Sequence, residues 1–346
     1  MTPFRLFDLP PELILIILED CHPRDIATFI RTSHASWNIG HPILYKLSVP
    51  KKKELFLWAA GKNRPNIVQY ILDDILPLLN KSSKSPLRDK VLSPAIRGQC
   101  IPILNMLLDN GADAGNALME ATILSKLNVV RALLSRGVTF PAHQYENHRV
   151  DVGRENILHF AAISPATRVL ELVLTFPGLG LDINKADANG NTALLKAATN
   201  GCPVSVRLLL AHGADPNVVN AQRRTPLTEA ATDGDEDVIE MLLNAGANIN
   251  GTDTENPLMN TVIYENVNAA AYLLQRGADP NWVGTYGVGV GHTPLHRAAS
   301  EGDDRLLGLL VAHGADVHLK DSRGRKAIEV AVEEGHVLCQ VILTMA

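Results

Sequence analysis

Apolar residues in this chain gather in short clusters that return at a steady interval. One phrase recurs: Thr-Pro-Leu-x-x-Ala-Ala or a variant, a polar break, a leucine pair, then Gly-Ala-Asp-x-Asn. It reads TALLKAATNG from Thr192, TPLTEAATDG from Thr225, NPLMNTVIYE from Asn256 and TPLHRAASEG from Thr293. The matching ends are LLLAHGADPN, MLLNAGANIN, YLLQRGADPN and LLVAHGADVH. Weaker copies start at Asn156 (NILHFAA) and Lys326 (KAIEVAVEEGH). The interval of about 33 residues marks an array of small stacked units.

Each phrase predicts a pair of helices. Threonine is placed to cap the first helix, and proline suits a first turn in which no amide donor is needed. The small pairs Ala197 and Ala198, Ala230 and Ala231, and Ala298 and Ala299 let neighbouring helices approach closely. The leucine pair buries the second helix, and Gly213, Gly246, Gly277 and Gly314 stop it in the left-handed conformation. Upstream the pattern weakens but persists. ELFLWAAGKNRPNIVQYILDD from Glu54, SPAIRGQCIPILNMLLDNGAD from Ser93 and NALMEATILSKLNVVRALLSRG from Asn116 each read as a helix pair. The last two start too close together for a full unit, so the hairpin between them is expected to be missing. LNKSSKSPLRDK, residues 79–90, reads as a polar loop.

Period, start and end together resemble the ankyrin repeat. The resemblance implies an all-α fold, an ankyrin-repeat solenoid of about nine irregular repeats whose core runs along the stack. It also implies that a protein target is held by the hairpin tips and by the concave face of the first helices. On that pattern Lys196, Glu229, Asn260 and Arg297 are exposed first-helix positions, with Thr199, Thr232, Ile263 and Ser300 one turn on. Ile263 and Tyr264 are unusually apolar for such a surface and mark a sticky spot. The insertion WVGTYGVGVGHTPLH reads as a lengthened hairpin tip, with Trp282 and Tyr286 as candidates for protein contact. Its GxxGxGxG spacing is not the G-x-G-x-x-G of a dinucleotide loop.

The N-terminus carries a different pattern. LFDLPPELILIILEDC, residues 6–21, holds six consecutive apolar residues, Leu13 to Leu18. On a helix these point in every direction, so burial on more than one side is expected. The run is short and flanked by Glu12, Glu19 and Asp20, and no small-residue cleavage site follows closely, so a secretory signal is not expected. LPPELILIIL followed by RDI, TS and a tryptophan resembles the F-box, and HPILYK resembles the ending of F-box-like segments in ankyrin proteins of filamentous fungi. Cys21 departs from the leucine that usually closes the first helix. The implied layout is a small F-box-like helical module at 1–47 capping a repeat domain at 48–346.

F-boxes dock on a Skp-type adaptor of cullin–RING ubiquitin ligases. The resemblance therefore implies that Leu9, Pro10, Leu13, Ile16 and Ile17 contact such an adaptor, and that the chain is a substrate receptor of an SCF-type ligase. The other reading keeps these side chains packed on Phe29, Trp37 and the first repeat. The repeats then form a scaffold or transcription coregulator.

Composition narrows the alternatives. A net charge of −5 offers no basic excess for direct nucleic-acid binding. No apolar run approaches the ~20 residues of a spanning helix, so no membrane partner is expected. Cys21, Cys100, Cys202 and Cys339 are scattered without CxxC pairing, which suits reduced thiols in the cytoplasm or nucleus. No catalytic motif or metal-spaced cluster is present, so no enzyme activity, cofactor or metal is expected. His159 and His296 are expected to make structural hydrogen bonds, and His212 and His313 to cap second helices. Asp233, Asp235, Glu236 and Asp237 around Gly234 read as a solvated helix connection.

Overall fold

The computed structural model describes residues 17–26, 48–69, 71–72, 87–138, 156–177, 179–284 and 291–346. Among these the regular structure is helical, and the chain groups into two compact units, Met1–Phe140 and Pro141–Ala346. Leu9, Pro10, Leu13, Ile16 and Tyr286 lie outside the described residues.

The second unit is built from helix pairs: α6 (Ile157–Ala162) with α7 (Thr167–Thr175), α8 (Ala193–Thr199) with α9 (Pro203–Ala211), and α10 (Pro226–Asp233) with α11 (Glu236–Asn244). Then come α12 (Pro257–Ile263) with α13 (Val267–Gln275), α14 (Pro294–Glu301) with α15 (Asp304–Ala312), and α16 (Ala327–Glu333) with α17 (Val337–Met345). First helices stack on first helices and second on second. The phrase explains each part. Thr192, Thr225 and Thr293 accept from the backbone N–H three residues on, at 3.2, 3.2 and 3.3 Å. Pro226, Pro257 and Pro294 open their helices. The alanine pairs are fully buried, as are Leu209, Leu242, Leu273 and Leu310 of the second helices. Gly213, Gly246, Gly277 and Gly314 sit at φ between 85° and 91°. A Cβ at any of the four would meet nothing within 4 Å, so conformation and not space demands glycine there.

Side chains in the loops tie each pair to the next. Asn184, Asn217, Asn250 and Asn281 accept through Oδ1 from the N–H of Asp215, Asn248, Asp279 and Asp316, at 2.8, 2.8, 2.9 and 2.7 Å. The final residue of Gly-Ala-Asp-x-Asn is thus a rung between neighbouring hairpins. His159 and His296 make a second link. Each ring takes the N-cap backbone N–H on Nδ1 and reaches the next pair's loop with Nε2, to the carbonyls of Asn191 at 3.0 Å and Arg325 at 2.9 Å. Burial pushes the His296 pKa down, which keeps the ring neutral.

The first unit repeats the pairing with less of the phrase. It contains α1 (Val49–Gly61), α2 (Leu87–Arg97), α3 (Ile101–Asp109), α4 (Ala114–Ile123) and α5 (Leu127–Ser135). Residues 110–113 alone join α3 to α4, so the hairpin is missing as expected, and Asp113 caps α4 directly. At Gly98 a Cβ would come within 2.8 Å of the Gly61 carbonyl oxygen, so glycine permits the close approach of α1's C-terminus. Residues 17–20 and 23–26 are helical, with Leu18 and Ile26 buried. The Glu19 carboxylate accepts from the backbone and the hydroxyl of Ser48, the N-cap of α1. A carboxylate there also suits the helix dipole.

Candidate protein-binding surface

A groove of about 510 Å³ opens in the second unit along the first helices of α8 and α10 and the loops beside them. Ile163, Leu195 and Thr199 supply its apolar and small contacts, and Asn191, Asn200, Asn220 and Gln222 its amides. Two cations enter it, and each is tied to a buried carboxylate. Lys196 Nζ lies 3.2 Å from Asp187 Oδ2, and Arg224 donates to Glu229 Oε1 at 3.2 Å. Burial disfavours the Asp187 charge, but the Asn191 backbone N–H and Lys196 outweigh it and hold the carboxyl below its usual range. Burial likewise opposes Arg224's charge, and Glu229, with Glu255 nearby, more than restores it. The groove is therefore rich in hydrogen-bonding groups but has little free charge. That suits capture of a polypeptide, whose backbone needs donors and acceptors in fixed positions, and offers no nucleophile with an adjacent base.

The residues singled out from sequence fall into three groups. Lys196 and Arg297 are half-buried on the first-helix surface, and Arg297 is paired with Glu301 at 2.6 Å. Ile263 is partly covered, Tyr264 beside it is 50% exposed, and Trp282 is half-buried. Glu229 and Asn260 were expected to be exposed and are not; both are buried. Neighbouring first helices lie close enough for Asn260 to reach back, donating to Thr228 O at 3.3 Å and Thr232 Oγ1 at 3.2 Å. Glu229 is spent on Arg224. Ile163 went unnoticed in the sequence, although it holds the same register position as Thr199 and Ile263 and stands 41% exposed in the groove.

His212 and His313 follow α9 and α15, each ring nitrogen Nδ1 at 2.9 Å from a carbonyl one turn back. Burial pushes the thiols of Cys100, Cys202 and Cys339 up, away from reactivity. Among the described residues no acid, histidine and cysteine group could hold a metal ion, and no helix is long and apolar enough to cross a membrane.

A family model of ankyrin repeats (three copies) matches residues 118–220, 158–253, 206–283 and 258–345, together more than half of the chain. The chain belongs to the ankyrin-repeat family. Its repeats are accordingly elements of protein–protein interaction. The crystal structure of the human ASB11 ankyrin repeat domain is similar, with a TM-score of 0.53 and 25% identity over 66% of this chain and 96% of that one. So is the ankyrin repeat domain of Bcl-3, described as a unique member of the IkappaB protein family, with a TM-score of 0.55 and 26% identity over 66% and 97%. Mouse (Mus musculus) Rabankyrin-5 is 34% identical over 96 residues, 25% of this chain and 8% of that protein. Cyclin-dependent kinase inhibitor 2A of Monodelphis domestica is 42% identical over 73 residues, 21% of this chain and 41% of that protein. The matches thus span less than half the length of either relative.

Proposed function

We propose that this ankyrin protein is a substrate receptor of an SCF-type cullin–RING ubiquitin ligase. The N-terminal segment would dock on a Skp-type adaptor through Leu9, Pro10, Leu13, Ile16 and Ile17. The repeats would hold a target protein along the groove beside Lys196 and Arg224 and at the Ile263–Tyr264 patch. Catalysis would be by proximity: target and adaptor are brought onto one chain, and ubiquitin transfer takes place on other subunits. Such a receptor would work in the cytoplasm, the nucleus or both.

The observation that carries this reading is the division within the apolar run. Leu18 is buried, while its neighbour Ile17 stays 37% exposed. A helix whose apolar residues point in all directions keeps part of its surface for a partner when the domain covers only one side. The Glu19 bonds to Ser48 favour a second reading, in which the segment is a structural cap and the repeats a plain scaffold.

Co-purification with a Skp-type adaptor separates the two. The wild type is expected to bind, and Leu13→Asp/Ile17→Asp to lose binding while circular dichroism shows the repeats still folded. A wild type that fails to bind leaves the cap and the scaffold.

A further inference from the structure

The last helix differs from α11 and α15 on its outer face. Counted from the helix start, Val337, Leu338 and Val341 of α17 stand where α11 has Glu236, Asp237 and Glu240, and where α15 has Asp304, Arg305 and Gly308. Met345 stands where α11 has Asn244. The charged residues at these positions face solvent in α11 and α15, although each of those helices has a further repeat stacked beyond it. This face is therefore solvent-facing whether or not another repeat follows. In α17 it is apolar, and Val337, Leu338, Val341 and Met345 are 67%, 65%, 50% and 84% exposed. Spacings of three and four residues place them on one stripe, while Cys339 and Leu343 bury the opposite side. Four adjacent apolar residues at outward positions mark an interaction surface more than scattered exposure would.

Charge identifies the partner. Residues 327–346 contain no lysine or arginine, and Glu333 and Glu334 stand exposed just before α17. Asp303 and Asp304 of the preceding repeat lie near enough to act on Cys339. Arg325 is already held by Asp321 and Glu333, and Arg305 is the exposed cation among the described residues of α15 and α17, the exposed Lys320 and Arg323 belonging to the hairpin before α16. The stripe thus has an acidic rim gathered at the N-terminal end of α17. A second copy of the same face would bring Glu334 and Asp304 against their like, with Arg305 as the cation on α15 and α17 to offset them. A helix with leucines on one side and lysines or arginines beside them satisfies both features.

We propose that the outer face of α17 is a second docking surface, separate from the first-helix groove, and that it takes a basic amphipathic helix from a partner protein. The apolar stripe supplies contact, and Glu334 and Asp304 set its orientation by pairing with the partner's cations.

The test uses the full chain and two fluorescein-labelled synthetic helices, one of leucine and lysine, the other of leucine and glutamate in the same pattern. The lysine peptide is expected to bind and to weaken as salt rises; the glutamate peptide is not. Leu338→Lys/Val341→Lys should weaken the lysine peptide by about tenfold or more. Equivalent positions carry Arg305 and Glu240, so that variant should fold, with circular dichroism as the check. Glu334→Lys should weaken binding several-fold and flatten its salt dependence. Absent binding, or binding that the double variant leaves unchanged, overturns the proposal. So does a wild-type dimer in light scattering that the double variant dissolves, which would assign the stripe to a second copy.

Discussion

The repeat at Thr293 and the helix pair α2–α3 have nearly the same architecture and very different local sequences. In the first, Thr293 caps, Pro294 opens, His296 bridges to the next loop, and Gly302 turns the chain at φ 77°. In the second, Pro94 lies inside α2 and the non-glycine Gln99 takes the left-handed turn at φ 52°. Yet Ile96, Ile103, Leu104 and Leu107 are as fully buried as Leu306, Leu307 and Leu310. Apolar burial builds the helix pair in either case. The family phrase adds relaxed turns and side-chain links to neighbours, and these make the repeats regular.

Core truncation should therefore cost the same in both regions. Leu242→Ala in α11 and Leu107→Ala in α3 are each expected to lose about 3 kcal/mol in denaturant titration. A far smaller loss at Leu107 would mean that the first unit is not held by its core.

Acid should act on the regular region. Asp321 accepts from the backbone N–H groups of Arg323 and Arg325, both at 2.9 Å, and from the Arg325 guanidinium at 2.7 Å. Burial opposes its charge, but the Arg325 and Arg323 bonds win and lower its pKa to about 2. Its contribution is full above the unfolded value near 4 and is lost as pH falls toward about 2. Asp321→Asn should thus be less stable than wild type at pH 7, and the difference should shrink between pH 4 and about 2 as wild-type stability declines. A gap that stays constant with pH contradicts this assignment.

Among the described residues the hairpin rungs run through the second unit, from Asn184 to Asn281. Asn217 accepts from Asn248 and donates to the Gly246 carbonyl at 3.0 Å, so Asn217→Ala should cost about 1–2 kcal/mol. Hydrogen exchange should show the loss spread to the neighbouring hairpin; a loss confined to one repeat would deny the ladder a connecting role.

The smallest effect has the opposite sign. Ser125 turns between α4 and α5 at φ 56°, where regular repeats use glycine. Ser125→Gly should gain about 0.5 kcal/mol in melting, because relief of the left-handed conformation slightly exceeds the entropy glycine adds to the unfolded chain.

Much of this was legible from residues alone. Caps, prolines, alanine pairs and helix-ending glycines are local signals, each tied to a backbone requirement within a few residues, and they placed the helix pairs and the missing hairpin correctly. The surface was less legible. Glu229 and Asn260 looked outward by helical register, but register states the direction of a side chain and not the distance to the neighbouring helix. Ile163 was hidden because its repeat is degenerate, though counting from Asn156 puts it in line with Thr199.

By itself the sequence determined the family, the period, the helix pairs and the glycines that end their second helices, because these depend on interactions within one repeat, while it read residues 79–90 as loop where the helix already begins at Leu87. Tertiary structure alone decided which polar side chains face a partner and which are spent on the next repeat. Asn217 became a rung because Asn248, 31 positions on, is brought alongside it, and Asn260 turned inward because Thr228, 32 positions back, lies within its reach, whereas Glu229 was spent on Arg224 inside its own repeat.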